Sequence, residues 1–239
     1  MAVDGNEAAA GEAESAVQGF MALPGRTEDG TQLFLRRLAD VVQTLGLDVA
    51  SDSVAGDAWE WGHVVRGALR EACRQGLVLS EASFGVLMAA AVYDSNPSFN
   101  RQFVEPALNA FGYQRVRSAL LDYLRTGTDA ERAGAARAWY WSALPLRLSE
   151  VRAEGSDAEG QPEADDNAVL VREWHEAALR EFVSNEHLDV RRCILPGLPL
   201  RPSAYPAELH DLVEAAVVIA RSHPDEYIRH RVEHQVRSA

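Results

Sequence analysis

Two stretches decide the fold: NEHLDVRRCILPGLPL, residues 185–200, and HPDEYIRHRVEHQV, residues 223–236. Each is a polar turn followed by a helix with an arginine near its start. Two earlier stretches, NPSFNRQFVEPALNAFG at 96–112 and TDAERAGAARAWYWSALP at 128–145, follow the same plan. Aligned on Arg101, Arg132, Arg191 and Arg229, they lie 31, 59 and 38 residues apart. The long step contains an acidic block of about 20 residues, and without it the repeat returns to about 39. A recurring unit of helix, polar turn and second helix cannot bury both apolar faces alone, so neighbouring units must stack. The expected fold is all-α, with stacked helical hairpins forming an α–α superhelix.

Working outward, each later turn follows an amphipathic helix whose apolar residues recur with helical period. Residues 113–125 place Val116, Leu120, Leu121 and Leu124 inward, residues 170–183 place Leu170, Trp174, Ala178 and Phe182, and residues 209–221 place Leu209, Leu212, Val213, Ala216 and Ala220. Toward the N-terminus, residues 32–45 (Leu33, Phe34, Leu38, Val41, Val42, Leu45), 59–73 (Trp59, Val64, Val65, Leu69, Cys73, capped by Asp57) and 84–92 (Phe84, Leu87, Met88, Val92) predict three more helices. Residues 1–28 are small, acidic and without sustained periodicity, and are expected to be a disordered arm. Residues 152–168 (RAEGSDAEGQPEADDNA) read as a disordered acidic insert. The organisation is then arm (1–28), N-terminal helical cap (29–95) and repeats (96–239).

The repeat segments resemble HEAT repeats, whose second helix opens with an acid, Val-Arg and small residues. Asp189-Val190-Arg191 and Glu226-Tyr227-Ile228-Arg229 carry this resemblance, and Asp129–Ala136 is a looser form. The segment from Asn96 departs from it, with Asn100-Arg101 at the opening. Pro106 and Pro196 fall five residues after their arginines, where a helix should kink or end. The resemblance implies a scaffold or adaptor that binds a macromolecule along the ridge of second helices. It also implies an alternative, a nucleic-acid-binding protein or glycosylase-type enzyme on the same fold.

Composition trims these options. The chain has 239 residues, 47% of them apolar, and a net charge of −13. All 23 basic residues are arginine, a pattern that resembles high-GC bacterial codon usage. Ten acids sit in the arm (Asp4, Glu7, Glu12, Glu14) and the insert (Glu154, Asp157, Glu159, Glu163, Asp165, Asp166), leaving about −3 elsewhere. Nucleic-acid binding relies on clustered cations, so it is disfavoured and a protein partner is expected. No apolar run of 18 residues predicts a membrane span, and the acidic start lacks the basic and apolar regions of a secretory signal. Cys73 and Cys193 have no metal or redox spacing, which fits a reducing, cytoplasmic setting.

The candidate contact residues are Arg101, Arg132, Arg191, Arg192, Arg229 and Arg231, with Trp139 as an aromatic anchor. The competing reading for these arginines is an internal ladder, one per repeat pairing with the next repeat's acid. Trp139 and Trp141 lie 200° apart on a helix, so at most one faces a given surface. Trp59-Glu60-Trp61 and Trp174-His175-Glu176 read as ordinary core and surface, and Asp94–Arg101 (DSNPSFNR) reads as a connector. His230-Arg231-Val232-Glu233-His234 fits H-x-x-E-H, but only five residues follow it here to supply a third ligand. No phosphate loop, serine elbow or cysteine–histidine pair is present, so no catalytic residue, metal or cofactor is expected.

Overall fold

Small residues let the central helices of this protein approach until backbone meets backbone. The computed structural model describes residues 28–49, 58–153 and 162–237, all of it helix, turn and loop with no strand among the described residues. The helices are α1 (Glu28–Leu45), α2 (Ala58–Arg74), α3 (Glu81–Tyr93), α4 (Arg101–Phe111), α5 (Tyr113–Thr126), α6 (Asp129–Ala153), α7 (Pro162–Ser184), α8 (Leu188–Ile194), α9 (His210–Ser222) and α10 (Glu226–Arg237). The protein is all-α, as the periodicity predicts.

Burial follows the spacing. In α5 the 3.6-residue period gathers Val116, Leu120, Leu121 and Leu124 on one covered face. In α2 the covered stripe is Trp61, Val65 and Leu69. Trp59 is off that stripe and 47% exposed. α3 is apolar all round and is enclosed by α1, α4 and α6. α6 opens with the Thr128–Glu131 capping box, in which the Thr128 N–H donates to Glu131 Oε2 (2.8 Å) and the Glu131 N–H to Thr128 Oγ1 (3.4 Å). It packs on α3, α4, α5 and α8.

The contact of α6 with α3 explains one glycine. A Cβ at Gly134 would lie 1.9 Å from the Val92 carbonyl oxygen, so any side chain there is excluded. Farther along, α5 packs on α7 and α7 on α9, while α6 packs on α8, and α10 meets α8 and the 3-10 turn Leu195–Gly197. α5 also contacts α6, α7 contacts α8, and α9 contacts α10.

Two expectations about helix ends need correction. α4 does not stop at Pro106 but continues to Phe111, ending at Gly112, whose φ of +79° suits glycine. Pro196 does end α8, which passes into a 3-10 turn at Leu195. The acidic insert is shorter than its composition suggests, because α6 runs to Ala153 and α7 starts at Pro162. Residues 154–161, the arm at 1–27 and the Asp57 cap lie outside the described residues.

Candidate functional site: an aromatic surface at the 94–101 turn

Of the predicted contact arginines Arg191 is buried, Arg132, Arg192 and Arg231 are half-buried, and Arg101 and Arg229 are exposed. Arg132 pairs with Glu181 of α7 at 3.1 Å and with Asp129 at 3.6 Å. Arg192 holds Asp225, in the turn before α10, at 2.5 Å. These two bonds cross between elements, from α6 to α7 and from α8 to the turn before α10, but of the four aligned arginines only Arg132 pairs with an acid on another helix. Arg191 is buried and donates from Nε to the Phe182 carbonyl at 3.2 Å. Arg229 donates to the His223 and Pro224 carbonyls, each at 2.6 Å. Arg231 is half-buried. Trp139 is buried too, stacked on Trp174 with centroids 4.0 Å apart and planes 4° from parallel. The buried Arg117 guanidinium covers it at 5.0 Å. Trp139 therefore packs the core and is not a surface anchor.

The turns carry the electrostatics of this ladder. Burial alone would raise Asp225, but hydrogen bonds from Arg192 and the Ile228 N–H hold its carboxyl below the ordinary value. It therefore caps α10 and anchors α8 together. His223 accepts the Asp225 N–H at Nδ1 (3.0 Å), and burial, reinforced by Arg191, Arg229 and Arg192, pushes it below its ordinary value.

What remains open is a strip of rings around residues 94–101. Asp94 ends α3, its N–H donating to the Ala90 carbonyl, and its carboxylate accepts the Asn96 N–H at 2.9 Å. Asn96 in turn accepts the Ser98 N–H at 2.9 Å, so two successive side-chain turns set the loop. Beneath it, buried Arg66 donates to Asp94 Oδ2 from Nε (3.2 Å) and Nη2 (2.5 Å). Burial raises the Asp94 carboxyl above its ordinary value, and Arg66 pulls against that rise. The Arg66 guanidinium also lies 5.3, 5.2 and 5.7 Å from the Phe34, Phe99 and Phe103 rings, fixing Phe99 from below.

On the outer side Phe99 meets Trp59 edge-on at 5.5 Å and His63 at 4.8 Å. Two residues on, Arg101 lies over Trp141 at 5.4 Å and pairs with Glu105 at 3.1 Å. Trp141 donates from Nε1 to the Pro97 carbonyl at 2.6 Å, locking α6 to the loop. Tyr140, 54% exposed, meets Trp141 edge-on at 5.1 Å. Trp59, His63 and Phe99 thus form one ring cluster and Arg101, Trp141 and Tyr140 a second, and the Trp141–Pro97 hydrogen bond ties the second to the turn that carries Phe99.

Of the seven predicted contacts, only Arg101 belongs to this strip. Each of the three segments stands out in the sequence, but they lie about 40 residues apart and only the tertiary structure brings them to one turn. One signal was available: Trp59 falls two residues before the Trp61–Val65–Leu69 stripe and cannot share its face. Chemically the strip offers stacking, edge and cation–π contacts but no nucleophile with a paired base. Among the described residues no group of three or more His, Cys, Asp or Glu is placed to hold a metal ion, and no helix is long and apolar enough to cross a membrane. Compared with known proteins, the chain matches no protein-family model, no curated protein and no solved structure.

Proposed function

We propose that this protein is a HEAT-like scaffold of stacked helical pairs that binds a protein partner through the Trp59–Tyr140 aromatic strip. The stacking reading is supported by order: α5/α6, α7/α8 and α9/α10 are sequential pairs, first helices contact first helices, and Arg132 and Arg192 tie each pair to the next. α3 fits the row of second helices through its contact with α6, with α1 beyond it as part of an N-terminal cap.

The observation that carries the binding reading is the composition of the open strip. Tryptophan, tyrosine and arginine dominate binding hot spots because they present large, rigid surface with a polar handle. A monomer leaves such rings uncovered at a hydrophobic cost, which a docking partner relieves. Within the strip, Tyr140 and Trp141 on α6 are the residues that belong to the row of second helices. Against the nucleic-acid alternative stands the net charge of −13, with Arg132, Arg191, Arg192 and Arg229 engaged by carboxylates and carbonyls.

The test is affinity capture from lysate of the source organism, with partners identified by mass spectrometry and remeasured with purified components. A Tyr140→Ala/Arg101→Ala variant with unchanged thermal stability is expected to lose the partner. Retention of the same partner at the same affinity overturns the assignment of the surface.

A further inference from the structure

The H-x-x-E-H stretch plays no part in the proposed scaffold, yet the fold gives it specific geometry. His230 and His234 lie one helical turn apart on α10, both exposed, with ring centroids 4.5 Å apart. Their Nε2 atoms are 3.2 Å from one another. An ion placed 2.0–2.1 Å from both nitrogens, the usual zinc–imidazole distance, would subtend about 100–105° between them. That angle lies between the octahedral and tetrahedral values, so the spacing of the two nitrogens suits a shared ion.

We propose that His230 and His234 form a bidentate site for a divalent transition-metal ion of the zinc–copper class on the outer face of α10. Imidazole nitrogen selects this class over magnesium and calcium, which take oxygen donors. The charged residues of α10 are of both signs, Glu226 and Glu233 against Arg229, Arg231 and Arg237. Glu226 shares the face one turn before His230 and has no ion-pair partner among the described residues. His234 sits in the C-terminal half of α10, toward the negative end of its dipole, and His230 one turn before it. Glu233 pairs with Arg221 at 3.0 Å and is not counted as a ligand. Each ring coordinates as the neutral tautomer with its proton on Nδ1 and Nε2 bare. The ring that now donates the Nε2–H of the imidazole pair moves that proton to Nδ1 through solvent, so binding by neutral rings releases no net proton. The remaining positions go to water, or to a carboxylate from a bound protein. This is a coordination site and not a catalytic centre.

The test is calorimetric titration of the whole protein with Zn2+, paired with the electron paramagnetic resonance spectrum of bound Cu2+. The expected result is one saturable ion per chain and a two-nitrogen copper signature. Affinity should fall about tenfold or more in either H230Q or H234Q and stay unchanged in H187Q, a control on another exposed histidine. Circular dichroism checks that the variants keep their helix content, as substitution at exposed positions predicts. Absence of saturable binding, or equal binding by all four proteins, overturns the site and leaves the rings as a hydrogen-bonded pair.

Discussion

Replacing Gly134 by alanine isolates the closest approach in the molecule. The added Cβ would sit 1.9 Å from the Val92 carbonyl oxygen, 2.7 Å from its carbonyl carbon and 2.9 Å from Cγ1. An ordinary carbon–oxygen contact requires well over 3 Å, so α3 and α6 must separate by more than 1 Å. The obstacle is helix backbone and cannot rotate away. Such overpacking costs about 1–3 kcal/mol, and the upper end applies because two rigid backbones collide. The substitution also gains about 1 kcal/mol of helix propensity. The net expectation is a loss of about 2 kcal/mol, or about 4–8 °C in Tm for a chain of this size. Urea and thermal unfolding followed by circular dichroism measure it. Gly85→Ala in α3 is the control, because a Cβ there meets nothing within 4 Å and should be neutral or stabilising. Equal stability of the two variants would refute the close α3–α6 crossing.

Other consequences follow from buried polar groups and the split among the aromatics. Arg66→Ala strands the Asp94 carboxylate under the turn and is expected to lose about 3–5 kcal/mol, whereas Arg66→Met with Asp94→Leu loses much less; denaturant midpoints decide. Trp139→Ala removes the Trp174 stack and should cost about 3–5 kcal/mol, while exposed Tyr140→Ala should stay within about 0.5 kcal/mol and act only on partner binding. The folded protein holds His223 below its ordinary pKa of 6.5, so the unfolded chain takes up the proton first. Its contribution to stability is therefore complete above that value and lost as the pH falls below it. His223→Gln should flatten this part of a stability-against-pH curve measured by chemical denaturation between pH 7.5 and about 5.

Helix positions were legible wherever one face is wet. α1, α2, α5, α7 and α9 alternate covered and exposed residues with the helical period, and their ends lie within a few residues of expectation except at the start of α7, which reaches back to Pro162. α3 and α6 were harder, because a helix enclosed on several sides has no polar face to set its phase. Gly134 therefore read as one more small residue. The direction of the arginines was not legible either. Arg132 and Arg192 find Glu181 and Asp225 only once α7 and the turn before α10 are packed beside them. Pro106 sits at the middle of α4 and does not end it, the helix persisting on both sides. The aromatic surface was invisible for the same reason as the ladder: Trp59, Phe99 and Tyr140 meet only in the tertiary structure, while Trp139, the anchor suggested by local density, points to Trp174.

Hydrogen–deuterium exchange, compared with and without a captured partner, addresses the binding surface directly. Protection is predicted in peptides covering 59–63, 94–101 and 139–141, with the ladder turns at 128–132, 185–192 and 223–229 unchanged. Protection confined to those turns, with the aromatic strip still exchanging freely, would contradict the account.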